Sequence, residues 1–268
     1  MAEKKQQQQN NAALVKQSVA DVPEYLQKLP QEQAAGLENV ERGDIVLPRL
    51  GLCQSGSPQR KRSDPAYIDK LEEGQFFNTA TREVYGSEVQ VVPLLFFKNR
   101  TMFGETVGGG VMCQSADNII GRGIPGGECE KCPMQMFEDG KRPRCNQFYN
   151  FAALIARNHN ASTDIVIVAL KSSGLKIAKN WLWMMKQRRT HAYAGCYDIH
   201  SVEAKNEKGA WYVPVIENAE WVSKDTVEIA RQAYAAISEL QREGRLRADV
   251  EDLQPSTEER STSDEAPF

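Results

Sequence analysis

Hydrophobic residues in this chain fall first into short extended runs and later into helical spacing. Asp44–Cys53 (DIVLPRLGLC), Gly74–Asn78, Glu83–Tyr85 and Glu88–Lys98 read as strands. Pro48 and Pro93 inside them mark an edge or a bulge, because proline has no N–H to give to a ladder. Phe148–Arg157 and Thr163–Lys171 are two more such runs, and Asn158, His159, Asn160 and Ala161 between them form a polar turn of hairpin type. Leu175, Ala178, Leu182 and Met185 then recur at spacings of three and four, which predicts a helix with one buried face and Ser172 or Ser173 as its N-cap. Asp198–Ala204 and Trp211–Val215 predict a second hairpin around Glu207, Lys208 and Gly209. A last helix is predicted from Lys224 to Arg242 by Val227, Ala230, Tyr234, Ile237 and Leu240.

Two stretches break the pattern. Residues 1–38 are rich in Gln, Glu and Lys, with Pro23 and Pro30 interrupting their few apolar positions, and read as a mobile arm. Between 104 and 147 glycine, proline and cysteine crowd together and periodicity disappears, as in an insertion placed between two strands of a sheet. The expected fold is therefore mainly β (α+β): an OB-like barrel carrying this insert, one internal helix and one C-terminal helix. Pattern alone does not separate such a barrel from another α+β sheet.

Composition adds an asymmetry. The net charge of −3 argues at first against a polyanionic ligand. From Asp249 to Phe268, however, seven acids face Arg260 alone, so the tail carries −6 and residues 1–248 carry +3. No run approaches the roughly 20 apolar residues that span a bilayer, and MAEKKQQQQNN lacks the apolar core of a secretory signal. A cytoplasmic protein with no membrane partner is expected.

In that compartment clustered cysteines point to metal rather than to disulfides. Cys129 and Cys132 form a CxxC-Pro knuckle; Cys113 lies sixteen positions before it and Cys145 thirteen after it. Four thiolates satisfy a tetrahedral Zn²⁺ and leave no place for a catalytic water, so a structural, zinc-ribbon-like site in the insert is expected. Cys53 and Cys196 lie in strand-like surroundings and read as core residues.

The helix beginning near 174 carries a second signal. From Ile165 to Tyr197 there is no acidic residue, while Lys171, Lys176, Lys179, Lys186, Arg188 and Arg189 are basic. Lys176, Lys179, Trp183 and Lys186 are spaced 3, 4 and 3, which makes a cationic stripe with an aromatic in it. Cations that follow phosphates and flat rings that stack on bases are what sequence-independent binding of single strands needs. Arg49, Arg60, Lys61 and Arg62, and in the strands Phe96, Lys98, Arg100, Phe103, Phe148 and Tyr149, extend the set of candidate contacts. About half of the aromatics in these strands must instead belong to the core.

The chain ends Ser263, Asp264, Glu265, Ala266, Pro267, Phe268. This resembles the terminus of bacterial single-stranded-DNA-binding proteins, where an acidic run leads to Pro-Phe. It is also similar to phage single-strand binders with acidic tails and, in some cases, a zinc insert in the barrel. The resemblance is residue-level only at the tail. It implies that Phe268, with Pro267, docks into DNA replication or recombination proteins while Asp264 and Glu265 meet basic residues around the pocket. It also implies a location in the bacterial host cytoplasm if the protein is phage-encoded. The expected organisation is thus an arm (1–38), a single-strand-binding domain (39–248, with the zinc insert at 104–147) and an acidic tail (249–268). The expected function is non-catalytic: protecting single-stranded DNA and recruiting partners, with homo-oligomerisation left open. The alternatives are a zinc-ribbon DNA-processing enzyme, nuclease or primase-like, and a replication adaptor that does not bind DNA. No Walker-type loop or acidic metal triad supports the enzyme.

Overall fold

A computed structural model describes residues 46–104, 110–137, 143–157, 159–207, 209–242 and 246. The arm (1–38) and the acidic tail (249–268), with Asp264, Glu265, Pro267 and Phe268, lie outside the described residues.

Three short strands come first: β1 (Leu50–Leu52), β2 (Phe76–Asn78) and β3 (Val84–Gly86), paired antiparallel in that order. The long β4 (Glu88–Phe103) follows, then β5 (Val111–Ser115), β6 (Ile120–Gly123) and β7 (Gly127–Glu128) within the cysteine-rich segment. The chain returns through β8 (Cys145–Arg157) and β9 (Asn160–Lys171), enters helix α1 (Gly174–Gln187), forms the hairpin β10 (Gly195–Asn206) and β11 (Gly209–Trp221), and ends in α2 (Lys224–Arg242). The molecule is mainly β with two helices. Among the described residues no helix is long and apolar enough to cross a membrane.

The strand β4 organises the main sheet. From Gln90 to Met102 it pairs with β8, which pairs with β9; on its other side it pairs with β10 near its start and with β5 near its end. The sheet is open: no ladder joins β9 to β11, so no barrel closes among the described residues. The gap between those two edges is met by the segment around β1. Ile167 of β9 donates its N–H to the Pro48 carbonyl at 2.8 Å, and Arg49 forms a parallel bridge to Ile167. A few residues on, the Gln54 side chain takes up both backbone groups of Tyr212 in β11, accepting from its N–H at 2.8 Å and donating to its carbonyl at 3.0 Å.

That contact also protects an edge. An unpaired strand edge is a template for pairing with another chain. On β11, Gln54 occupies Tyr212, Pro214 has no N–H to offer, and Arg188 donates to the Ala219 carbonyl at 2.8 Å.

Residues directly opposite in an antiparallel ladder share a face, so register divides the core in two. On one face Val91, Phe151, Ala153, Ile155, Val168, Tyr197 and Ile199 pack under α1, which buries Ala178 and Trp181 there. Its Leu175, Leu182 and Met185 are partly buried against the same cluster, as their spacing predicts. On the other face Val92, Leu94, Ala152, Leu154 and Ile167 lie under α2, which contributes Ala230 and Ile237. With both faces covered, β8 is buried from Phe148 to Ala156.

Candidate nucleic-acid interface and cysteine cluster

Helix α1 positions the basic stripe. The same turn periodicity that buries Ala178 and Trp181 places Lys176, Lys179, Trp183 and Lys186 outward, and all four are exposed. Trp183 leaves 64% of its surface in solvent, against 0% for Trp181 two positions earlier. A large ring held that far out of a core forgoes hydrophobic burial worth about 1.5–3 kcal/mol. The stripe runs from Lys176 to Lys186, or about 15 Å of helix.

The other expected contacts separate into three groups. Lys61 and Arg62 are exposed in the loop after β1; Arg60 beside them forms an ion pair with Glu73 and also donates to the Ser55 carbonyl at 3.3 Å. Phe96, Lys98, Arg100 and Lys171 are half-buried. The Lys98 ammonium lies 4.9 Å over the Tyr149 ring, and Phe96 meets that ring edge-on at 5.2 Å. Arg49, Phe103, Phe148 and Tyr149 are buried, Phe148 completely. Phe103 and Phe148 pack on each other in a small cluster of their own. In this conformation these two rings are core side chains and have no face for a base. The Arg49 side chain, sealed beside β9, is likewise inside the fold. Alternation fails as a guide here because β4 and β8 are covered on both faces.

The cysteines approach one another through register. Cys113 of β5 and Cys145 of β8 are both ladder partners of Met102, one on each side, so their side chains leave the same face of the sheet. The CxxC knuckle is a 3-10 turn, Cys129–Lys131, with the Cys132 N–H donating to the Cys129 carbonyl at 3.2 Å. Gly121 brings β6 close to Cys113: a Cβ there would stand 3.0 Å from the Cys113 Sγ. Gly123, at φ +119°, allows the next approach, since a Cβ would fall 2.1 Å from the Met112 carbonyl oxygen. The insert therefore has strands where the sequence shows no periodicity.

Burial pushes the Cys145 thiol up; Arg100, which hydrogen-bonds it, opposes this, and the neighbouring Cys129 and Cys132 add to the rise. Even so, among the described residues no three His, Cys, Asp or Glu side chains are arranged to hold a metal ion, and the cysteines are free thiols. The donor chemistry suits zinc; the spacing, as it stands, does not assemble a tetrahedral site. Cys53 and Cys196 are fully buried, and burial raises the Cys196 thiol to about 11, which keeps it an inert core group.

Sequence reasoning missed Arg188 and Trp221 as a unit. Arg188 lies 4.9 Å over the Tyr197 ring and 4.6 Å over Trp221, which is 57% exposed. A basic residue just after a helix gives no hint that it will be tied to a strand more than thirty positions later.

A protein-family model described as Pam3 phage gp34-like protein matches residues 10–243. No curated protein and no solved structure matched the chain.

Proposed function

The chain belongs to the Pam3 phage gp34-like family, and from that premise we propose that it binds single-stranded DNA without strong sequence preference, through the basic face of α1. The carrying observation is the outward row Lys176, Lys179, Trp183 and Lys186 in a stretch, Ile165 to Tyr197, that holds no acid. Phosphates are met by the lysines and a base by the indole, and neither contact reads sequence.

The strand pairing supports the finer fold reading. The ladders β4–β8, β8–β9, β4–β10 and β10–β11, with α1 between β9 and β10, follow the connectivity of a five-stranded OB-type barrel left open at its last seam. Residues 48–54 bridge the opening. In this reading the cysteine insert takes the position of the loop after the first barrel strand, and the β10–β11 turn that of the loop before the last. OB-type barrels use both loops for ligand contact.

Two further parts belong to the proposal. Cys113, Cys129, Cys132 and Cys145 would hold a structural zinc ion once their side chains close around it, and the ion would fix the insert against β4 and β8. The acidic tail, through Asp264, Glu265, Pro267 and Phe268, recruits DNA replication or recombination proteins in the host cytoplasm. The proposal assigns no catalytic step to the chain.

Titration of the full-length protein with labelled oligo(dT) and with a duplex of equal length tests the reading. Tight, salt-sensitive binding of the single strand and weak binding of the duplex is the expected result. No shift of oligo(dT) at low salt, or magnesium-dependent cleavage of it, would overturn the reading.

A further inference from the structure

At the C-terminal end of α1 a second aromatic stands in solvent, and its surroundings are built rather than incidental. Trp221 closes β11, and its ladder partner is Gly195 at the start of β10. Glycine there makes room for Arg188: a Cβ on Gly195 would stand 2.7 Å from the Arg188 Nη1. The guanidinium fills that space and lies over two rings, 4.9 Å from the centroid of Tyr197 and 4.6 Å from that of Trp221. Its N–H groups are spent on the strands. Nη2 donates to the Ala219 carbonyl at 2.8 Å, to the Asn218 Oδ1 at 3.3 Å and to the Cys196 carbonyl at 3.4 Å, and Nη1 donates to the Glu220 carbonyl at 3.5 Å.

Arg188 is therefore held in place before any ligand arrives, and Trp221 is held by Arg188. The guanidinium lies over the indole, yet 57% of the residue remains exposed, which leaves ring surface in solvent. A rigid ring with free surface loses little conformational entropy on binding. A cation over the ring sets its orientation by the attraction between positive charge and the π-cloud.

Building on the single-strand reading, we propose that Trp221, backed by Arg188, is a stacking platform for one unpaired nucleobase and continues the track of α1 past Lys186. The chemistry selects a flat π-system. Glu220 is next in sequence and Arg188 already satisfies carbonyl groups, so the site draws affinity from the ring and adds little net charge for phosphate. Lys186 and Arg189, both exposed and close in sequence to Arg188, supply the backbone contacts around it. Stacking contributes about 1–3 kcal/mol per base.

The test uses the full-length chain, fluorescence anisotropy, and two oligonucleotides of equal length: oligo(dT) and a strand of abasic residues with the same phosphates. Trp221→Ala should weaken oligo(dT) binding roughly 5- to 150-fold. It should leave abasic-strand binding and the salt dependence unchanged, and Trp221→Phe, which keeps a ring over Arg188, should retain most of the affinity. Equal losses on both strands would mean that the residue only supports the fold, and unimpaired oligo(dT) binding by Trp221→Ala would remove the platform; either overturns this site alone. A wild-type protein that ignores both strands overturns the single-strand reading, and the platform falls with it.

Discussion

Replacing Lys176, Lys179 and Lys186 together by glutamine removes three charges from α1 and leaves its buried face intact. All three side chains are exposed, and glutamine matches lysine closely in helix propensity, so the stability change should stay within about 0.5 kcal/mol. Binding should change far more. On single strands each phosphate contact adds about 0.7 to the slope of log affinity against log salt. Loss of three contacts should flatten that slope by about 2. Between about 50 and 200 mM salt this amounts to roughly 1.3 log units, so the variant should lose about 20-fold less affinity over that range than the wild type does. At the low-salt end it should be the weaker binder by a factor of that order or more. Anisotropy titrations of oligo(dT) at several salt concentrations read both quantities. An unchanged slope, with the wild type binding and the variant folded, would show that the lysines are only a solvated helix face.

Three further expectations concern the scaffold. Trp181 is fully buried, 4.2 Å from the Phe151 ring and 5.7 Å from Tyr197 by ring centroids, so Trp181→Ala should cost about 3–5 kcal/mol in urea unfolding. Trp181→Phe should cost much less, because it keeps a ring there and removes an indole N–H that has no hydrogen-bond partner among the described residues; a loss below about 1 kcal/mol for the alanine variant would contradict the packing. Gln54→Ala loses both bonds to Tyr212 and uncovers the β11 edge, so it should lower stability by about 1–3 kcal/mol and raise the mass seen by light scattering at high concentration. Identical stability and mass would show that the edge needs no cover. Cys129→Ser with Cys132→Ser should abolish zinc measured by atomic emission and speed amide exchange in the insert, whereas equal metal in variant and parent would end the four-cysteine assignment.

What the sequence determined by itself is what local periodicity encodes. The bounds of α2, the hairpin of β10 and β11, and the outward row on α1 follow from residues within a few turns of one another, where backbone geometry decides which side chains share a face. The cysteine spacing likewise marks a cluster, because its ligand types stand out by chemistry. Tertiary structure decided which candidates are available. Phe148 and Tyr149 resemble Trp183 as exposed-ring candidates in a basic neighbourhood, yet Phe148 packs on Phe103 and Tyr149 lies in the cluster under α1, whereas Trp183 is on the uncovered side of α1. The insert's three short strands left no periodic trace, being too brief and too rich in glycine to show one. The open edge of the main sheet, and the use of Gln54 to cover an edge 158 positions away, depend on contacts between segments distant in the chain. So does the contact of Arg188 with Tyr197 and Trp221, which exists only where the end of a helix meets the end of a hairpin. Such placements are fixed by how finished elements pack, and no spacing within one element records them.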